Sequence, residues 1–114
     1  MAARVSTARF HAGMLRMLEL LRPALPDAEA ERVRFGIDVV ASNATLVRTV
    51  ASKFRARAAP LVAAPEFRID AELLRATMYT DKQLQLDLTK VTPELTADVL
   101  ACLRDLLLAA ESLK

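Results

Sequence analysis

The chain has 114 residues, of which 54% are hydrophobic, 4% aromatic and 26% charged, with two Gly, five Pro and one Cys. That length suits one domain of about 100–200 residues, and the apolar content excludes a disordered tail. So few Gly and aromatic residues argue against a sandwich or barrel with turns every 8–12 residues or so, which leaves an all-α chain.

The formal net charge is +2, but residues 1–57 carry ten Lys and Arg against five acids, and residues 58–114 carry six against nine. Such asymmetry fits either an anion-facing first half or two halves that neutralise one another in a bundle. One cysteine rules out an internal disulfide, and no apolar run reaches the roughly 18 residues of a transmembrane helix. Arg4, Arg9 and Arg16, with Ser6 and Thr7 and no acid before Glu19, share the composition of a mitochondrial transit peptide. Read instead as a structural helix, the same segment leaves an intracellular, cytoplasmic chain as the expectation.

The first predicted helix covers residues 7–22, with Ser6 or Thr7 as N-cap and Phe10, Met14, Met17, Leu18 and Leu21 on one arc of about 100°. Pro23 and Pro26 stop it, and Asp27 is the expected N-cap of the next. The second helix is predicted over residues 28–58, about 45 Å at 1.5 Å per residue. Its seam of Ala30, Val33, Ile37, Val40, Ala44, Val47, Ala51, Phe54 and Ala58 recurs at spacings of three and four, the pattern that packs one helix lengthwise on another. A second stripe, Phe35, Val39, Leu46 and Val50, lies roughly 100–150° round, so this helix needs neighbours on two sides.

Residues 60–65 (PLVAAP) form a stiff linker, and Asp70 caps a third helix over residues 71–79. Thr80-Asp81-Lys82-Gln83 has the form of a capping box, so a helix continues or restarts over residues 81–91 with Leu84, Leu88 and Val91 inward. Alternation of Leu84, Leu86 and Leu88 would instead make residues 82–89 a short strand. Thr92-Pro93-Glu94 opens the last helix, residues 93–113. Its arc of Leu95, Val99, Leu100, Cys102, Leu103, Leu106, Leu107 and Ala110 spans half the circumference, more than one neighbour covers. The sum is an antiparallel bundle of four or five helices in a single domain.

A long central helix between shorter ones resembles the outline of the histone fold, with Phe67-Arg68-Ile69 in the place of its second loop strand. The resemblance is confined to outline. The Asp70–Ala76 segment departs from that fold's spacing and a further helix follows, so it implies no functional residues here.

Little in the chain points to chemistry. His11 is the sole histidine, at the edge of an apolar face, and Cys102 falls inside an apolar arc rather than in an electropositive, exposed setting. Gly13 and Gly36 stand apart, so no phosphate loop forms, and no zinc or calcium motif is present. Glu29/Glu31 and Asp70/Glu72 occupy first turns, where the helix dipole accounts for them, and Asp98/Asp105 fall on a polar side. Neither an enzyme nor a cofactor is therefore expected. Arg34, Arg48 and Arg55 line one flank of the seam and Arg57 the other, positions that set partner choice by pairing with charges such as Asp81, Asp87 or Asp105.

The expected function is non-catalytic helix–helix recognition, by an adaptor or a subunit of a homo- or hetero-oligomer. Phe35, Val39, Leu46 and Val50 would form the partner face, with Arg48 and Arg55 fixing register. Leu86 and Leu108, off the main faces, add uncovered apolar surface. The alternative is an anion- or nucleic-acid-binding module that uses Arg48, Lys53, Arg55 and Arg57 at the end of the second helix.

Overall fold

A computed structural model of the chain describes residues 2–78 and 84–113. Among these residues every regular element is helical: α1 (Ala2–Leu21), α2 (Asp27–Ala41), α3 (Ala44–Ala63), α4 (Ala71–Met78) and α5 (Pro93–Glu111), with 3-10 turns at Arg22–Ala24 and Leu88–Lys90.

α1 buries Phe10, Met14, Met17, Leu18 and Leu21, as its periodicity predicts. It begins earlier than residue 7, so neither Ser6 nor Thr7 caps it. Ala2, Ala3 and Arg4 are strong helix formers and carry the helix past those hydroxyls. After the 3-10 turn the cap position of α2 is held by Pro26, in extended geometry, and Asp27 and Glu29 fall in the first turn.

The expected helix over residues 28–58 is divided. Ser42 ends α2, and Asn43 takes up extended geometry (φ −142°, ψ 118°). The Asn43 side chain accepts from the backbone N–H groups of Thr45 at 2.8 Å and Leu46 at 3.3 Å. A side-chain acceptor for two otherwise unpaired amides is what lets a fresh helix start there without glycine or proline. Of the nine seam residues only Ala44, at this junction, is exposed; the other eight are buried. α3 then runs through Pro60 to Ala63 rather than stopping at Ala58. Ala56 and Pro60 are both exposed, so the carbonyl that a proline four residues on leaves unpaired faces water.

Asp70 caps α4 as expected, its carboxylate accepting from the Leu73 N–H at 2.9 Å. The capping box at residues 80–83 and the end of the predicted 71–79 helix lie outside the described residues. Residues 84–87 are neither helix nor strand, and Leu88 is 63% exposed instead of inward. The reason is tertiary: the Asp87 N–H donates to the Ala24 carbonyl at 2.9 Å, and the Asp87 carboxylate accepts from the Thr89 hydroxyl and amide to wind the 3-10 turn. Thr92 caps α5 through the Leu95 N–H at 3.1 Å, with Pro93 in the first turn.

α1 touches all four other helices, while α3 lies against α5, α4, α1 and α2. Edge-to-face contact of Phe10 and Phe54, 5.8 Å between ring centres, joins α1 to α3. The half-circle arc of α5 is covered by α1 and α3 together, which bury Val99, Cys102, Leu103, Leu106, Ala109 and Ala110. The histone-like outline does not persist, because the long helix is divided and residues 67–69 form no strand.

Candidate interaction surface on the second helix

α2 is peripheral. It buries Ala30, Val33, Ile37 and Val40 against the rest of the molecule and turns Ala28, Glu31, Arg32, Phe35, Asp38, Val39 and Ser42 outward, every one of them exposed. Phe35 is 71% exposed and Val39, one turn on, 44%. The expected partner stripe is thus only partly at the surface. Leu46 is half-buried and Val50 lies in the core. α3 meets four neighbours where α2 is peripheral, so its buried arc widens to take in Val50 as well as Val47, Ala51, Phe54 and Ala58.

Charge surrounds the aromatic ring. Arg34 approaches Asp38 at 3.5 Å, His11 of α1 lies 3.7 Å from the same carboxylate, and Arg32 pairs with Glu29. The imidazole Nε2 is buried without a hydrogen-bond partner among the described residues. Arg32 and Asp38 stand three residues either side of Phe35. Sequence reading passed over them because it sought stripes of apolar residues; the available signal was the symmetry of the flanking charges.

The basic residues expected to act together are dispersed. Since α3 continues to Ala63, Arg48, Lys53, Arg55 and Arg57 lie along its body rather than at its C-terminal end. At 100° per residue or so, Arg48 and Arg55 share one side while Lys53 and Arg57 fall roughly 140–180° away. The Arg55 guanidinium donates to the Ala110 carbonyl in the last turn of α5, where a cation suits the helix dipole. Arg48 is exposed. Of their expected partners, Asp87 is engaged by Thr89, Asp105 lines a groove with Arg9 and Arg16, and Asp81 lies outside the described residues.

That groove, about 420 Å³ between α1 and α5, has Ala12, Gly13, Ala101 and Cys102 along its floor. The Cys102 thiol donates to the Gly13 carbonyl at 3.6 Å, and burial pushes its pKa up to about 11. No helix among the described residues is long and apolar enough to cross a membrane. Comparison with protein-family models, curated proteins and solved structures finds no match to this chain.

Proposed function

We propose that the chain is a non-catalytic interaction protein, an adaptor or a subunit of a homo- or hetero-oligomeric assembly, acting through helix–helix packing on the outer face of α2. The observation that carries this reading is the exposure of Phe35 beside Val39, while Phe10 and Phe54 are wholly buried. Fully burying an exposed phenylalanine or valine is worth about 1.5–3 kcal/mol, and the 71% of Phe35 and 44% of Val39 still exposed leave a part of that to be gained, so an apolar face of this kind favours an occupant. Both side chains project from a regular helix, the form in which amphipathic surfaces meet other helices. The thiol of Cys102, held neutral by burial, supports a reading without nucleophilic chemistry.

A photo-crosslinking residue at Val39 tests it in cells. Discrete adducts are expected from position 39, absent from an identical probe at Ala97, an exposed position of α5, and lost when Phe35→Glu is added. Equal labelling from both positions, or none from position 39, would overturn the reading.

A further inference from the structure

Two separate surfaces of the chain are complementary to one another. On α2, at about 100° per residue, Glu31 and Asp38 fall on one flank of Phe35, and Arg32 and Val39 fall on the other. The groove between α1 and α5 is walled by Arg9 and Arg16 on one side and by Asp98 and Asp105 on the other. All four are exposed, and none forms an ion pair among the described residues. Each wall repeats its charge at the seven-residue spacing, about 10 Å, that also separates Glu31 from Asp38. Between the walls the Cys102 thiol meets the Gly13 carbonyl at 3.6 Å, so the floor there carries no bulky side chain. The α2 of the same chain cannot fill this groove, because it packs on another side of α1. His11, which reaches Asp38 at 3.7 Å, lies about 140–160° round α1 from Arg9 and Arg16.

The geometry points to a head-to-tail contact between copies of this chain, in which the outer face of α2 of one copy lies in the α1–α5 groove of the next. Phe35 enters the groove of about 420 Å³ over Gly13 and Cys102. Glu31 and Asp38 then meet Arg9 and Arg16, and Arg32 meets Asp98 or Asp105; the other aspartate stays at the rim, in water. Only one of the two directions along the groove does this, since the reverse sets acids on aspartates and Arg32 on the arginines. Within their own chain Glu31 approaches Arg22 at 3.6 Å and Asp38 approaches Arg34 at 3.5 Å. At 75% and 54% side-chain exposure, each carboxylate retains lone pairs for a second cation, and Arg32 keeps donors beyond the one on Glu29. The inference rests on the interaction reading above and names its partner. Because face and groove are different surfaces, each copy can use both, and the contact builds a ring if its rotation closes and a filament if it does not.

Sedimentation equilibrium of the full chain is expected to show a mass that rises above the monomer with concentration. Phe35→Glu disables the face and leaves the groove; Arg9→Glu/Arg16→Glu disables the groove and leaves the face. Each variant alone should associate about 10-fold more weakly or less. Mixed, the two retain one working contact, so a one-to-one heterodimer that grows no further is expected. Glu31→Arg/Asp38→Arg should also be weakened alone, and should regain association when mixed with Arg9→Glu/Arg16→Glu, because every contact in that mixture pairs opposite charges. Far-UV circular dichroism checks that each variant folds, and Asp98→Arg/Asp105→Arg, on the other wall, is a second groove variant. Monomer at every concentration overturns the inference, as does association indifferent to Phe35→Glu or to both groove variants. Folded variants that fail to recover in the mixtures overturn it too. A chain that stays monomeric yet yields position-39 adducts of another mass loses the contact between copies and keeps the α2 surface.

Discussion

At Gly13 the backbone of α1 comes so close to α5 that a Cβ there would stand 2.5 Å from Leu106 Cδ2 and 2.9 Å from its Cγ. Leu106 is itself buried, so it has little room to turn aside. Alanine gains about 1 kcal/mol of helix propensity over glycine, but overpacking a filled core costs about 1–3 kcal/mol. Gly13→Ala is therefore expected to lower stability by up to about 2 kcal/mol, read as a fall in the urea midpoint. Adding Leu106→Val should recover part of that loss, a favourable coupling in a double-mutant cycle. The neighbouring Cys102 thiol shows the same tight contact in its acid–base behaviour. Burial raises its pKa from 9.0 to about 11, so the unfolded chain ionises first. The stability that this neutral thiol contributes is intact below about pH 9 and is lost as pH rises through about 11. At pH 8 the thiolate population of the folded chain is about 100-fold smaller than that of the unfolded chain. Alkylation by iodoacetamide should slow at least in that proportion; equal rates in the folded and unfolded chain would show Cys102 to be open to solvent.

At the scale of elements, α3 carries a defect that nothing on its inner face requires. Pro60 lies inside the helix with an exposed side, and an interior proline costs about 3 kcal/mol through its missing amide and its clash with the preceding turn. Pro60→Ala restores a hydrogen bond at an exposed position, offset by the freer unfolded chain at about 0.4–1 kcal/mol. A gain of about 2 kcal/mol is expected, seen as a raised thermal midpoint with slightly more helical circular dichroism. A lowered midpoint would mean that the helix needs its proline. The apolar seam made most of the buried face of α2 and α3 legible, because period 3.6 records which side faces in. It did not reveal the division at Ser42–Asn43, since the seam stays in phase across a single capped turn. Nor could it separate Phe35 from Val50: both lie on one sequence stripe, and only the number of neighbouring helices decides which is covered. Residues 84–87 were obscured for a further reason. Their conformation is set by the Asp87–Ala24 bond, between segments sixty-three positions apart, and local alternation of leucines carries no trace of it.

The whole molecule measures 42 × 32 × 20 Å, about two layers of helices thick, so peripheral helices such as α2 keep an outer face. Leu108, at 60% exposure, and Leu88 are single apolar residues of the kind any surface carries; Phe35 and Val39 are a pair on one helical face, framed by opposite charges. That difference in organisation separates association through an apolar helix face from capture of a polyanion, and ionic strength distinguishes them. Covering Phe35 and Val39 releases no counterions, and the exposed charges beside them contribute at most about 1 kcal/mol each and are only partly screened. A tenfold rise in NaCl should therefore weaken a complex formed on this face by no more than about 5-fold. Sulfate should tighten it, because excluded salts strengthen the burial of Phe35. Counterion release by Arg48, Lys53, Arg55 and Arg57 acting on a nucleic acid has the opposite character, with a loss of about three orders of magnitude over the same range. Their placement on two sides of α3, with Arg55 already donating to Ala110, leaves them poorly arranged to act together. A measured salt slope near that of four released ions would shift the functional surface from α2 to α3, and a shallow one keeps it on Phe35.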